Sequence, residues 1–148
     1  MELHHLQTVL EQAFNANFVT YYRAHQAHVN IKGRNFYQDH KLLKHVYKTL
    51  QDHIDDLGEK LRTVDSHMPM SLEFIVGTSP IIDYALSGNS DEILQGVLDS
   101  VLELIDVYHD LRNAADDVGY TDISNMADNN IGELAKFKWQ LQATLNHE

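Results

Sequence analysis

At 148 residues with 43% apolar side chains, the chain can bury one core but is too short for two ordinary domains, so a single domain over residues 1–148 is expected. It holds no cysteine, which excludes disulfides, thiolate metal sites and a cysteine nucleophile and leaves imidazole and carboxylate as its metal ligands. Twenty-two acidic residues against 11 basic ones give a formal net charge of −11 without a basic block at either end; DNA binding is therefore not expected, and the acidity reads first as a device for solubility and otherwise as attraction of metal cations.

Only 7 Gly and 2 Pro are spread over the chain, too little turn material for an all-β fold. The first residues, MELHHLQTVLEQ, carry no basic stretch followed by an apolar run, and no segment approaches the ~18 continuous apolar residues of a membrane span. A soluble, cytoplasmic protein without membrane contact is the expectation.

The first helix is predicted from about Leu3 to Ile31, with Leu6, Leu10, Ala13, Phe18 and Tyr21 on one face and Gly33 just past its end. Asn35 is placed to cap the second. There Phe36, His40, Leu43, Tyr47, Leu50, Ile54, Leu57, Leu61 and Val64 alternate four and three apart, a packing seam over four heptads. A polar break at Asp65 to Met70 precedes SLEFIVG, one or two turns of helix over Ser71 to Gly77, and an irregular stretch runs from Thr78 to Ser90. The third long helix, about Ser90 to Val118, stops at Gly119, and the fourth spans about Asp122 to Asn146. Two hairpins joined by so long a connection predict an all-α four-helix bundle with a short extra helix in the crossover between helices two and three; an up-down bundle with a looped insertion is the other arrangement.

Ten histidines are present. His4, His5 and His147 lie near the termini, and His45, His53, His67 and His109 read as exposed or supporting polar residues. His40 interrupts an apolar seam, and His28 lies as far before the turn at Gly33 as the hairpin needs to bring the two to similar heights. Asp55 and Glu59, four apart, share a face as oxygen ligands for a divalent metal would. His40 and Asp55 are 15 residues apart on one helix, about 22 Å at ~1.5 Å per residue. Unbroken, that helix cannot bring them to one ion; a second copy packed across a two-fold axis can.

The stretch HQAHVNIKGRNFYQDHKLLKHVYKTLQDHIDDLGEKL, from His25 to Leu61, resembles the signature of the Dps family, the ferritin-like miniferritins. Its elements here are His28, Asn30, Gly33, Asn35, Phe36, His40, Asp55 and Glu59, with a weaker likeness along the chain that includes LAKFKWQL around Trp139. The resemblance implies a ferritin-like fold and a hollow shell of twelve copies. It implies ferroxidase sites at two-fold interfaces, ligated by His28, His40, Asp55 and Glu59, where Fe(II) is oxidised, typically by hydrogen peroxide in oxidative-stress defence, and stored as ferric mineral. Zinc is a possible competitor for such a site. Asp122 and Asp128, with Asp116 and Asp117 nearby, are placed where relatives have an iron-entry pore, although Asp residues at a helix start also act as caps.

Two positions depart from the pattern. Lys44 stands where many members have an Asp four residues after the second His, which predicts a weakened or single-iron site and makes a cage with little oxidising activity the alternative. Val29 replaces the usual Trp. The basic terminal extension of members that coat DNA has no counterpart here, in line with the charge. A bundle oxidase acting on an organic substrate is disfavoured because Glu59 has Arg62, not His, three residues on.

Overall fold

The computed structural model describes residues 2–148. Among them lie five helices and no strand: α1 (Glu2–Asn30), α2 (Phe36–Thr63), α3 (Leu72–Thr78), α4 (Ser90–Asp117) and α5 (Thr121–Leu145). Each predicted element is present within two residues of its expected ends.

The start and stop chemistry is local. Gly33, at φ +134°, supplies backbone that side-chain-bearing residues rarely adopt and turns α1 into α2. A full capping box opens α4: the Glu92 amide donates to Asn89 Oδ1 at 2.9 Å and the Asn89 amide to Glu92 Oε1 at 3.1 Å. The Tyr120 amide closes α4 onto the Ala115 carbonyl, with Gly119 left-handed between them. The end of α2 repeats that closure, Ser66 amide to Leu61 carbonyl, with Asp65 as the left-handed residue. Asp tolerates this conformation better than most side chains, so the turn forms without glycine. Asn35 occupies the cap position of α2 but its side chain makes no capping bond, contrary to the sequence expectation.

The seam of α2 is buried from Leu43 through Tyr47, Leu50, Leu57 and Leu61 to Val64, while Phe36 at its start is 39% exposed and Ile54 is half-buried. It packs on α1, α1 also packs on α4, and α4 on α5. At the centre, buried Tyr108 of α4 donates to Asn17 Oδ1 of α1 at 2.9 Å, and Asn17 Nδ2 donates to the Leu50 carbonyl of α2, also at 2.9 Å. Burial holds the Tyr108 phenol neutral, far above its ordinary pKa. Each such bond contributes about 1 kcal/mol net, and truncating one partner strands the other at a cost of about 1–3 kcal/mol.

By contrast α2 and α5 barely touch. The groove between them, about 690 Å³, is lined by His53, Asp56, Glu59, Asn130 and Glu133 among others. Tyr22, Val29, Tyr37, Met70, Leu72, Ile82 and Trp139 are large apolar side chains left exposed. No helix among the described residues is long and apolar enough to cross a membrane.

Candidate metal centre

The turn at Gly33 sets the last turn of α1 against the first of α2, and there His28 and His40 meet. Their rings stack at 3.7 Å between centroids. His28 Nδ1 donates to the His40 carbonyl at 2.6 Å, and His40 Nδ1 donates to the His28 carbonyl at 2.6 Å. A carbonyl can only accept, so both Nδ1 atoms carry hydrogen, and in the neutral ring the lone pair is on Nε2. Fixing the tautomer through a backbone carbonyl is the arrangement that orients metal-ligating imidazoles. His28 is 8% exposed, and its pKa is lowered, first by burial and then by neighbouring His40, His25 and Lys44. It is held in the neutral form that can ligate.

Around the pair lies an aromatic wall. His25 stacks flat on Tyr47 at 3.9 Å, Phe36 stacks on His40 at 4.8 Å, and the Tyr21 hydroxyl lies 2.9 Å from His25 Nδ1. These rings leave the two imidazoles little rotational freedom.

Asp55 and Glu59 lie on the same unbroken α2, and the helix carries them away from His40 as the spacing predicts. They are brought together, with a third carboxylate: one ligand oxygen from each of Asp55, Asp56 and Glu59 lies within 4.8 Å of the others, all three residues being exposed. Asp56 went unnoticed in the sequence because i, i+4 spacing singles out one pair per face; the consecutive acids at 55 and 56 were the available signal.

Other expectations are redistributed. His53 is not exposed: it is 4% accessible, with Nε2 3.0 Å from Glu133 Oε1 across the α2–α5 groove. His147 pairs with Asp91 at 2.7 Å. Asp122, second residue of α5, pairs with Lys60 of α2 at 2.8 Å, and Lys60 holds its carboxyl below the usual range. Asp128 faces Arg112 at 3.6 Å. Neither Asp caps α5, whose cap position is Tyr120. Lys44 is exposed, one helical turn beyond His40.

The family model for the ferritin-like domain matches residues 7–148. The chain belongs to the ferritin-like family. Its Dps resemblance also extends well beyond residues 25–61. Helicobacter pylori has a "DNA protection during starvation protein" 29% identical over 128 residues, spanning 86% of this chain and 89% of the relative. "General stress protein 20U" of Bacillus subtilis is 24% identical, spanning 95% and 96%. The Dps crystal structure from Vibrio cholerae O1, described as a member of a superfamily of ferritin-like diiron-carboxylate proteins, superposes with a TM-score of 0.91 at 25% identity, covering 98% of this chain and 91% of that one. Within this ferritin-like fold the candidate histidines lie where α1 turns into α2, and the candidate carboxylates lie toward the far end of α2.

Proposed function

We propose that this protein oxidises and stores iron, taking Fe(II) as substrate at sites shared between two copies, with hydrogen peroxide as oxidant and ferric mineral as product inside a hollow shell. In this reading His28 and His40 of one copy face Asp55 and Glu59 of the other, and Asp56 supplies a further oxygen. The observation that carries it is the reciprocal histidine clasp: two imidazoles, tautomer fixed, each with Nε2 outside the clasp, while among the described residues the carboxylates grouped closely enough to share an ion are Asp55, Asp56 and Glu59 farther along α2. Imidazole with carboxylate suits Fe(II) and leaves positions for the oxidant; zinc suits the same donors and would compete. The exposed apolar side chains fit a homo-oligomer, twelve copies in the Dps pattern. A cytoplasmic location and no DNA binding complete the proposal, as does an entry route near Asp122 and Asp128.

Lys44 favours a second reading of the same site. An ammonium one turn from His40 repels a cation and adds to the forces that lower the His28 pKa, consistent with a cage that binds one iron and oxidises slowly. Stopped-flow iron oxidation with peroxide and with oxygen, together with anomalous scattering from Fe(II)-soaked crystals, tests both. Peroxide-driven turnover with metal at the interface supports the first reading, one ion per site with slow turnover supports the second, and no bound iron sinks both.

A further inference from the structure

Arg23 of α1 is only 3% exposed, in the seam where α1, α4 and the crossover meet. Its Nη1 donates to Ser100 Oγ at 2.6 Å, and the Tyr84 ring covers the guanidinium at 3.7 Å from the ring centroid. The remaining two donors, Nε and Nη2, are buried without a partner. Together these form the side-on edge of the guanidinium, two parallel N–H groups spaced to grip two oxygens of one carboxylate or phosphate. Among the described residues no carboxylate pairs with Arg23. An unpaired cation is unfavourable in a buried position, and the cation–π contact with Tyr84 offsets only part of that. Arg23 lines a pocket of about 450 Å³ whose wall includes Gln26 and Asn30, with Asp83 beside Tyr84 on the crossover. Asn30 Nδ2 donates to Gln26 Oε1 at 3.0 Å, which leaves the Gln26 amide N–H as a further donor for oxygen.

We propose that this pocket is a receptor for a small oxyanion of the phosphate class, gripped by the Nε/Nη2 edge of Arg23 under Tyr84. It is separate from the clasp and needs no metal. Ser100 fixes the guanidinium plane through Nη1, so the gripping edge is set before the ligand arrives. Tyr84 covers one face of the guanidinium, and the gripping edge itself is closed to solvent, so a ligand reaches it only when neighbouring side chains give way. Asp83 disfavours ligands of higher negative charge and selects for a singly or doubly charged ion over a polyphosphate.

Inorganic phosphate is the test ligand, with iron-free protein at constant ionic strength. The expected result is a saturable rise in melting temperature for the native protein, above the unspecific stabilisation that phosphate gives any fold. Arg23→Lys, which keeps the charge but not the fork, should lose the saturable part, as should Arg23→Gln, while Asp83→Asn should keep or strengthen it. Because a change at a buried arginine can impair folding, a crystal of the native protein soaked in selenate provides an independent check, with anomalous density expected against Nε and Nη2. An absence of selenate there, or a carboxylate of Asp83 or of a neighbouring copy on that edge, overturns the proposal. A phosphate response unchanged in Arg23→Lys does so as well.

Discussion

The two ends of α2 carry the same kind of chemistry in opposite states of preparation. At the N-terminal end His40 is locked to His28 by two short hydrogen bonds and walled by Phe36 and, through His28, by Tyr47. Toward the other end Asp55, Asp56 and Glu59 are exposed to solvent. A ligand group that must wait, unpaired, for a metal is costly when charged and cheap when neutral. Neutral imidazoles can therefore be buried and fixed in the lone protomer, whereas the carboxylates stay hydrated; in the proposed function a partner copy and a cation then complete them.

The contrast is broken most severely by separating the halves. His28→Ala with His40→Ala in one chain, and Asp55→Ala with Glu59→Ala in another, should each lower iron oxidation by at least ~100-fold, since even supporting partners of a ligand are worth ~10–100-fold. Mixed and reassembled, the two inactive chains should recover activity, because each mixed interface rebuilds one complete site. Recovery absent from a verified mixed assembly would show that the two groups do not meet.

A smaller effect is expected at Lys44. Lys44→Asp should speed peroxide-dependent oxidation by about fivefold, the equivalent of ~1 kcal/mol between unit charges near water. An unchanged rate and iron count would show the lysine to be indifferent.

The prepared end should also differ in its titration. Because burial lowers the His28 pKa, the folded state prefers its neutral ring. Its contribution to stability is complete above the ordinary imidazole value and drains away as pH falls through the lower folded value. Proton NMR should show its C2 resonance moving at lower pH than that of a free histidine peptide in the same buffer. A His28 midpoint at or above that of the peptide would remove the claim that the site is held ready.

The least effect belongs to the exposed pair Lys60–Asp122. Asp122→Asn should cost no more than about 0.5 kcal/mol, since solvent screens the pair. Lys60 depresses the Asp122 pKa, so the small gain exists above the ordinary aspartate range and vanishes as pH falls through the depressed value. Melting curves of the native protein and the variant should converge in acid; a gap that widened there would be the wrong sign.

Much of the fold was legible because helix periodicity and stop signals are properties of neighbours in sequence. Leu43 to Val64 declare a seam, and Gly33 and Gly119 mark helix ends; the Asn89–Glu92 capping box emerged only with the structure. What could not be read involves residues distant along the chain. The burial of His53 depends on Glu133 arriving from α5, and the pairing of Asp122 on Lys60 of α2. Neither leaves a trace in local spacing. The left-handed Asp65 shows a different limit, a turn closed by a residue that is permitted but not preferred there. Of the candidate site, spacing singled out the four residues and their separation along α2, and the adjacent acids left a signal for Asp56 that i, i+4 spacing passes over; the tautomer-setting clasp depends on the hairpin's three-dimensional geometry.

The clasp has a mechanical consequence. The His28 carbonyl that receives His40 Nδ1 belongs to the last turn of α1, where helix carbonyls lack partners of their own, so the ring proposed as a ligand also serves as the helix's terminal cap. Tension on one is transmitted to the other: anything that draws His40 outward uncaps α1, and fraying of α1 releases the ring. Amide exchange at the end of α1, residues 27–31, thus becomes a gauge of ion occupancy that needs no iron signal.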